Sequence, residues 1–268
     1  MKKILFPTDF SETANTAFLY ALNLAKVYDA DIDVLHATSK LKIDIEEAER
    51  TKFDDYLNYL EQLRDQENEN FEIQITGHIV TGDLLITIQE LSEKNDYIYI
   101  VMGTDGENSV DDKILGTTTL NVANLNTIPV LAVPNHVKFK THKRLGFASR
   151  LLEKEYPILE KLVALAQRQN YPLEVVHITK SGILNTAEET NKNVWEKQFD
   201  EESLEITILY HKDIDEGIAQ FVETKRLDIL CVVHREMSNI QRLFKLNHSK
   251  RLLKTLKIPI LIYPELTE

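Results

Sequence analysis

The chain has 268 residues and carries 43 acidic against 31 basic side chains, for a formal net charge of −12. That balance argues against non-specific binding to nucleic acid or to an anionic membrane, both of which need basic surface. The one cysteine, Cys231, excludes an intramolecular disulfide and sits in the apolar run "DILCVV", as a core thiol does. No apolar run approaches the roughly 18–20 residues that span a bilayer. The opening "MKKILFPTDF" has too few apolar residues for a secretory leader, so a cytoplasmic protein without membrane or nucleic-acid partners is expected.

In chain order, Lys3–Pro7 reads as a short buried strand. Ser11 can cap a helix whose apolar residues Ala14, Ala17, Phe18, Ala21, Leu22 and Ala25 recur at helical spacing. Asp31–Ala37 is a second strand. Residues Ile43–Gln66 carry an interrupted apolar stripe (Phe53, Tyr56, Leu57, Leu60), which predicts a solvent-facing helix. Phe71–Val80 alternates as a strand, Asp83–Lys94 is helical, and Tyr97–Met102 is almost continuously apolar, as a strand covered on both faces should be. Thr117–Leu125 is a short helix and Pro129–Val133 the last strand of the set.

The order then repeats. "IDVLHATSK" (Ile32–Lys40) matches "LEVVHITKS" (Leu173–Ser181) at an offset of 141, and "TIPVLAVP" (Thr127–Pro134) matches "KIPILIYP" (Lys257–Pro264) at an offset of 130. Agreement at both ends points to duplication, with a shorter middle in the second copy. Second-copy strands are expected near Arg144–Ala148, Pro172–Thr179, Leu204–Tyr210, Asp228–Val233 and Pro259–Tyr263. The polar, basic "NHVKFKTHKR" reads as a linker, giving domains at 1–138 and 139–268. Strand–helix alternation of this kind argues for an α/β fold with two tandem, doubly wound parallel sheets.

In such sheets ligands bind beyond the carboxyl ends of the strands, where strand order reverses. Two stretches qualify, "PTDFS" (Pro7–Ser11) and "VMGTDGENSVDDKILGTTT" (Val101–Thr119). The second holds Gly103, Gly106 and Gly116, three of the chain's eight glycines, spaced G-x2-G-x9-G-T. Glycines there let backbone N–H groups approach an oxyanion, and the helix starting at Thr117 offers free N–H groups suited to phosphate. On spacing alone they could equally be turn glycines with Gly116 as a cap. Asp9 is suited to a ribose hydroxyl or an amine, since a carboxylate only accepts hydrogen bonds. The acids Asp105, Glu107, Asp111 and Asp112 either solvate the loop or help hold a divalent cation.

"KKILFPTDFSETANTAFLYALNLAK" together with "VMGTDGENSVDDKILGTT…NTIPVLAVP" resembles the universal stress protein A family, and the first copy resembles its ATP-binding branch. The resemblance implies a Rossmann-like five-stranded parallel sheet in order 3-2-1-4-5, akin to the adenine nucleotide alpha hydrolases. It places a nucleoside site on Pro7, Thr8, Asp9, Ala37, Met102 and Gly103, and the phosphates on Gly106, Gly116, Thr117 and Thr118. ATP is the implied ligand, with Mg2+ as a candidate companion.

The second copy lacks this set. Asp9 corresponds to Arg150, and Pro7 and Thr8 to Ala148 and Ser149, while simple alignment pairs Gly103 with His234. No glycine follows Gly217, and bulky Met237, Phe244 and Leu246 fill the segment, so nucleotide binding by the second copy is not expected. Its basic cluster, Arg235 to Arg251, is either a solvated face, a face that packs on the acidic first domain or a partner, or an anion site. His36 and His177 recur at strand ends without metal-ligand spacing, and Trp195 reads as a helix anchor.

The leading expectation is a non-enzymatic, ATP-binding stress-response regulator whose nucleotide state is read by a protein partner. A nucleotide-independent interaction module and a slow ATP hydrolase, with Asp105 as its base, are the alternatives. Pairing of the last strands, Val130–Val133 and Ile260–Ile262, would give an intrachain pseudo-dimer, and a further homodimer is open.

Overall fold

The computed structural model describes residues 1–38, 47–67, 72–104, 117–125, 127–134, 137–141, 143–199, 204–234 and 258–265. The chain forms two compact units, Met1–Phe139 and Lys140–Glu268. In the first, β1 (Lys3–Pro7), α1 (Glu12–Tyr28), β2 (Asp31–Thr38), α2 (Glu47–Glu67), β3 (Ile75–Thr81), α3 (Leu84–Lys94), β4 (Tyr97–Gly103), α4 (Thr117–Leu125) and β5 (Val130–Val133) alternate as expected. In the second, β6 (Leu145–Ala148), a 3-10 turn (Glu153–Glu155), α5 (Tyr156–Gln169), β7 (Leu173–Thr179), α6 (Thr186–Gln198), β8 (Glu205–Tyr210), α7 (Ile214–Lys225), β9 (Ile229–His234) and β10 (Ile260–Pro264) follow.

All strand pairs within each unit are parallel. The first unit has the order β3-β2-β1-β4-β5 and the second β8-β7-β6-β9-β10. This is the doubly wound α/β arrangement, with the reversal between β1 and β4 and again between β6 and β9.

Local chemistry accounts for the element ends. Ser11 Oγ accepts from the Ala14 N–H at 3.2 Å, so α1 starts there, and its alanine-rich face is buried along the whole helix. Asp83 caps α3 by accepting from the Leu85 and Ile86 N–H groups, and Asp213 caps α7 in the same way from Asp215 and Glu216. The third strand starts later than expected, at Ile75; Phe71 itself lies outside the described residues. Ile75 pairs with Ile32, one residue into β2, and Gln74 before it gives its N–H to the Asp31 carboxylate, a side chain and not the backbone ladder.

Duplication extends to buried charge. Lys3 Nζ lies 3.0 Å from the carboxylate of Asp33, which is 1% exposed and also accepts from the Tyr97 hydroxyl at 2.6 Å. Arg144 and Glu174, 141 residues on, repeat the pair at 2.8 Å, and Lys225 joins Glu174 at the same distance. Cys231 is fully buried, and burial together with the nearby Glu155 carboxylate pushes its thiol up, away from the reactive thiolate. Trp195 is 1% exposed, packed beside Tyr156.

Candidate functional site

At the reversal point of the first unit, the carboxyl ends of β1, β2 and β4 and the start of α4 enclose a cavity of about 220 Å³. Its walls include Pro7, Thr8, Asp9, Ala37, Met102, Gly103 and Thr118, seven of the ten residues singled out in the sequence. Thr117 opens α4. Gly106 and Gly116, with the acids Asp105, Glu107, Asp111 and Asp112, lie outside the described residues, as does the basic cluster Arg235 to Arg251.

The turn after β1 is tightly specified. Phe10 adopts the left-handed backbone (φ 66°), an uncommon state for a non-glycine residue. Hydrogen bonds on both sides hold it there. The Phe10 N–H donates to Thr8 Oγ1 at 3.1 Å, and the Ser11 N–H donates to Asp9 Oδ1 at 3.1 Å. His36 Nδ1 donates to the Thr8 carbonyl at 2.9 Å, which turns its Nε2 toward the Glu49 carboxylate at 3.6 Å. The Phe10 ring lies tilted against His36 at 4.2 Å and meets Tyr56 edge-on at 5.0 Å. Tyr56 in turn donates to Asn15 Oδ1 at 2.8 Å, and burial keeps its hydroxyl protonated well above the usual range. Asp9 is thus exposed at the cavity wall on a turn that cannot easily move.

Gly103 is explained by packing against α1. A Cβ there would stand 2.9 Å from Thr13 Cγ2 and 3.3 Å from the Ala14 nitrogen. Any side chain would push the end of β4 away from the start of α1. Thr104, next in the chain, lines the cavity; its hydroxyl is buried and has no hydrogen-bond partner among the described residues. A buried hydroxyl left unpaired is costly, which marks this wall as one that a polar ligand or water would satisfy. Sequence reading missed Thr104, as well as Ala14, Leu84 and Thr119, because small or apolar residues beside a motif carry no spacing signal. His36, noted only as a recurring strand-end histidine, also lines the cavity.

Residues 1–134 and again 151–264 match the family described as the universal stress protein family. The chain belongs to the universal stress protein family. Two universal stress proteins of Methanocaldococcus jannaschii are 28% identical over 153 residues and 26% identical over 143. The alignments cover 94% and 81% of those proteins, each against 49% of this chain. A universal stress protein from Archaeoglobus fulgidus superposes on the tandem chain with a TM-score of 0.71, covering 98% of both chains at 17% identity, a likeness of fold.

In this universal stress protein the second unit keeps the turn and changes its chemistry. Leu151 is left-handed (φ 54°), its N–H donates to Ser149 Oγ at 2.9 Å, and His177 Nδ1 donates to the Ser149 carbonyl at 3.1 Å. His177 Nε2 faces Glu188 at 3.7 Å, as His36 faces Glu49. Strand register corrects one correspondence. Leu5 pairs with Ile100 and Gly146 with Leu230, which makes Val233, and not His234, the counterpart of Gly103. Where the first unit has Gly103 the second has Val233, and at the counterpart of the start of α1 the chain takes a 3-10 turn before α5 begins at Tyr156.

Among the described residues no group of three His, Cys, Asp or Glu side chains is placed to hold a metal ion. No described helix is long and apolar enough to cross a membrane.

Proposed function

We propose that the first unit binds an adenine nucleotide, ATP with Mg2+ on its phosphates, and that the chain is a nucleotide-sensing stress-response protein rather than an enzyme. The observation that carries this reading is the single cavity wall formed by Pro7, Thr8, Asp9, Ala37, Met102 and Gly103. Those are the nucleoside residues that the family resemblance implies, and they come from three separate strand ends.

In this reading Asp9 accepts hydrogen bonds from the ribose hydroxyls, held in place by Ser11 and the left-handed Phe10. Ala37 and Met102 supply apolar contact to the base. Gly106, Gly116, Thr117 and Thr118 take the phosphates, aided by the free N–H groups at the start of α4. The nucleotide then sets the conformation that a protein partner reads.

Titration calorimetry with ATP and magnesium on the full chain tests this. Saturable binding is expected, and Asp9→Ala should weaken it about 10- to 100-fold, the worth of a hydrogen bond to a charged group. Absence of binding at millimolar ATP would remove the proposal and favour a nucleotide-independent interaction module. Steady phosphate release that disappears in Asp105→Ala would instead make the chain a hydrolase.

A further inference from the structure

Position 14 of the first unit is Ala14, on the cavity wall. Its counterpart 141 residues on is Glu155, a carboxylate that is only 1% exposed. One of its oxygens, Oε2, accepts three hydrogen bonds: from Ser149 Oγ at 2.7 Å, from the Arg150 N–H at 3.0 Å and from the Leu152 N–H at 3.3 Å. These donors belong to the turn that corresponds to Thr8, Asp9 and Ser11. In the first unit the Ser11 N–H is taken by Asp9, which is exposed beside the cavity. In the second unit that place is held by Arg150, whose guanidinium has donors only and cannot serve as an acceptor. Ala14 has become Glu155 where Asp9 has become Arg150, and the acceptor has moved from the turn to the helix side.

We propose that Glu155 is an internal occupant of the second unit's strand-to-helix turn, a built-in carboxylate that fills the space left open beside Asp9 and closes this unit to nucleotide. Closure on this account comes from Glu155, which occupies the turn and keeps a carboxylate there. A buried anion excludes phosphate and also consumes the donors a ligand oxygen would need. The consequence rests on the nucleotide reading of the first unit and fixes binding at one nucleotide per chain.

The decisive measurements use no nucleotide. Glu155→Ala removes the atoms of one acetate ion, so the melting temperature of the full chain should fall by several degrees. Acetate should raise it again in a saturable way, beyond an equal concentration of chloride, and should not do so in the wild type. Arg150→Asp should recover part of the loss in the Glu155→Ala background and destabilise the wild type, where two carboxylates would then share one turn. A Glu155→Ala chain as stable as wild type, failure of acetate to rescue it, or strictly additive effects of the two substitutions would each overturn the proposal. Should Glu155→Ala not fold, hydrogen exchange on the wild type decides: the Arg150 and Leu152 amides must be protected, and fast exchange at both refutes the contact. In the calorimetric titration, two nucleotides bound per wild-type chain would overturn closure. No nucleotide bound would overturn the reading of the first unit and leave the Glu155 measurements standing.

Discussion

In the first unit the strand-to-helix turn carries an exposed Asp9 beside an open cavity; in the second, the same backbone turn carries Arg150 and receives the buried Glu155. The left-handed residue, the hydroxyl that accepts from its N–H and the histidine that pins the carbonyl two residues earlier are common to both. What duplication preserved is thus the hydrogen bonding that shapes the turn, while the acceptor facing outward was free to change. A fold element and a binding element can share the same five residues and still diverge independently.

The largest difference between the units to test is in how their second helices are anchored. Helix α2 buries two side chains, Phe53 and Leu60, whereas α6 buries one, Trp195. Truncating a fully buried tryptophan typically costs about 3–5 kcal/mol. Trp195→Ala should therefore cost about that much in a urea unfolding curve followed by circular dichroism. Phe53→Ala should cost less, because Leu60 still holds α2. Equal costs would mean that the two helices are anchored alike and that the asymmetry in burial has no energetic meaning.

Next in size is a pair of equivalent lysines. Lys2 is exposed and lies over the Tyr28 ring at 5.9 Å, while Lys143, at the same place in the second unit, is 3% exposed and lies over Tyr171 at 5.3 Å. Burial pushes the Lys143 ammonium down to about 8, with the Asp228 carboxylate opposing that shift. A lysine in the unfolded chain keeps its proton up to its ordinary value of 10.5, so between pH 8 and 10.5 the unfolded state binds more protons than the folded one. The contribution of Lys143 to stability must then rise with pH through that window, by up to about 3 kcal/mol. Urea midpoints of wild type and Lys143→Met measured from pH 7 to 10.5 should show the wild type gaining on the variant as pH rises. Lys2→Met should show no such drift. Parallel curves for Lys143→Met would place its amine in water.

Much of this was legible in the sequence because it is written in periodicity and repetition. Apolar runs and helical spacing located the first unit's strands and helices and the second unit's strands, though not its helices, and the 141-residue offset already aligned Lys3 with Arg144 and His36 with His177. One wall of the cavity was legible too, since Pro7, Thr8 and Asp9 sit together in a short stretch after the first strand. Glu155 was not, because a single acid ahead of a helix reads as an ordinary first-turn residue until three donors are seen around one oxygen. Nor was the register at Gly103: the offset changes from 141 to 130 within the domain, and only strand pairing shows where. The early start given to β3 failed for a related reason, as apolar alternation cannot tell where a side-chain bond replaces the ladder, as it does at Gln74.

The smallest effect is the one that best separates folding from binding. His36 and His177 make the same bond, but His177 is 6% exposed and fully enclosed, whereas His36 borders the cavity. Removing His177 strands the Ser149 carbonyl away from water; removing His36 leaves the Thr8 carbonyl where solvent can reach it through the cavity. His177→Ala should therefore cost about 1–2 kcal/mol and His36→Ala about 1 kcal/mol or less, in the same unfolding assay. Nucleotide affinity should respond in the opposite order. His36→Ala frees the turn that aims Asp9, so ATP binding should weaken several-fold. His177→Ala should leave it unchanged, because its turn is filled by Glu155 and faces no ligand. Equal losses of affinity in the two variants would mean that both turns contribute to binding and that the second unit is not closed.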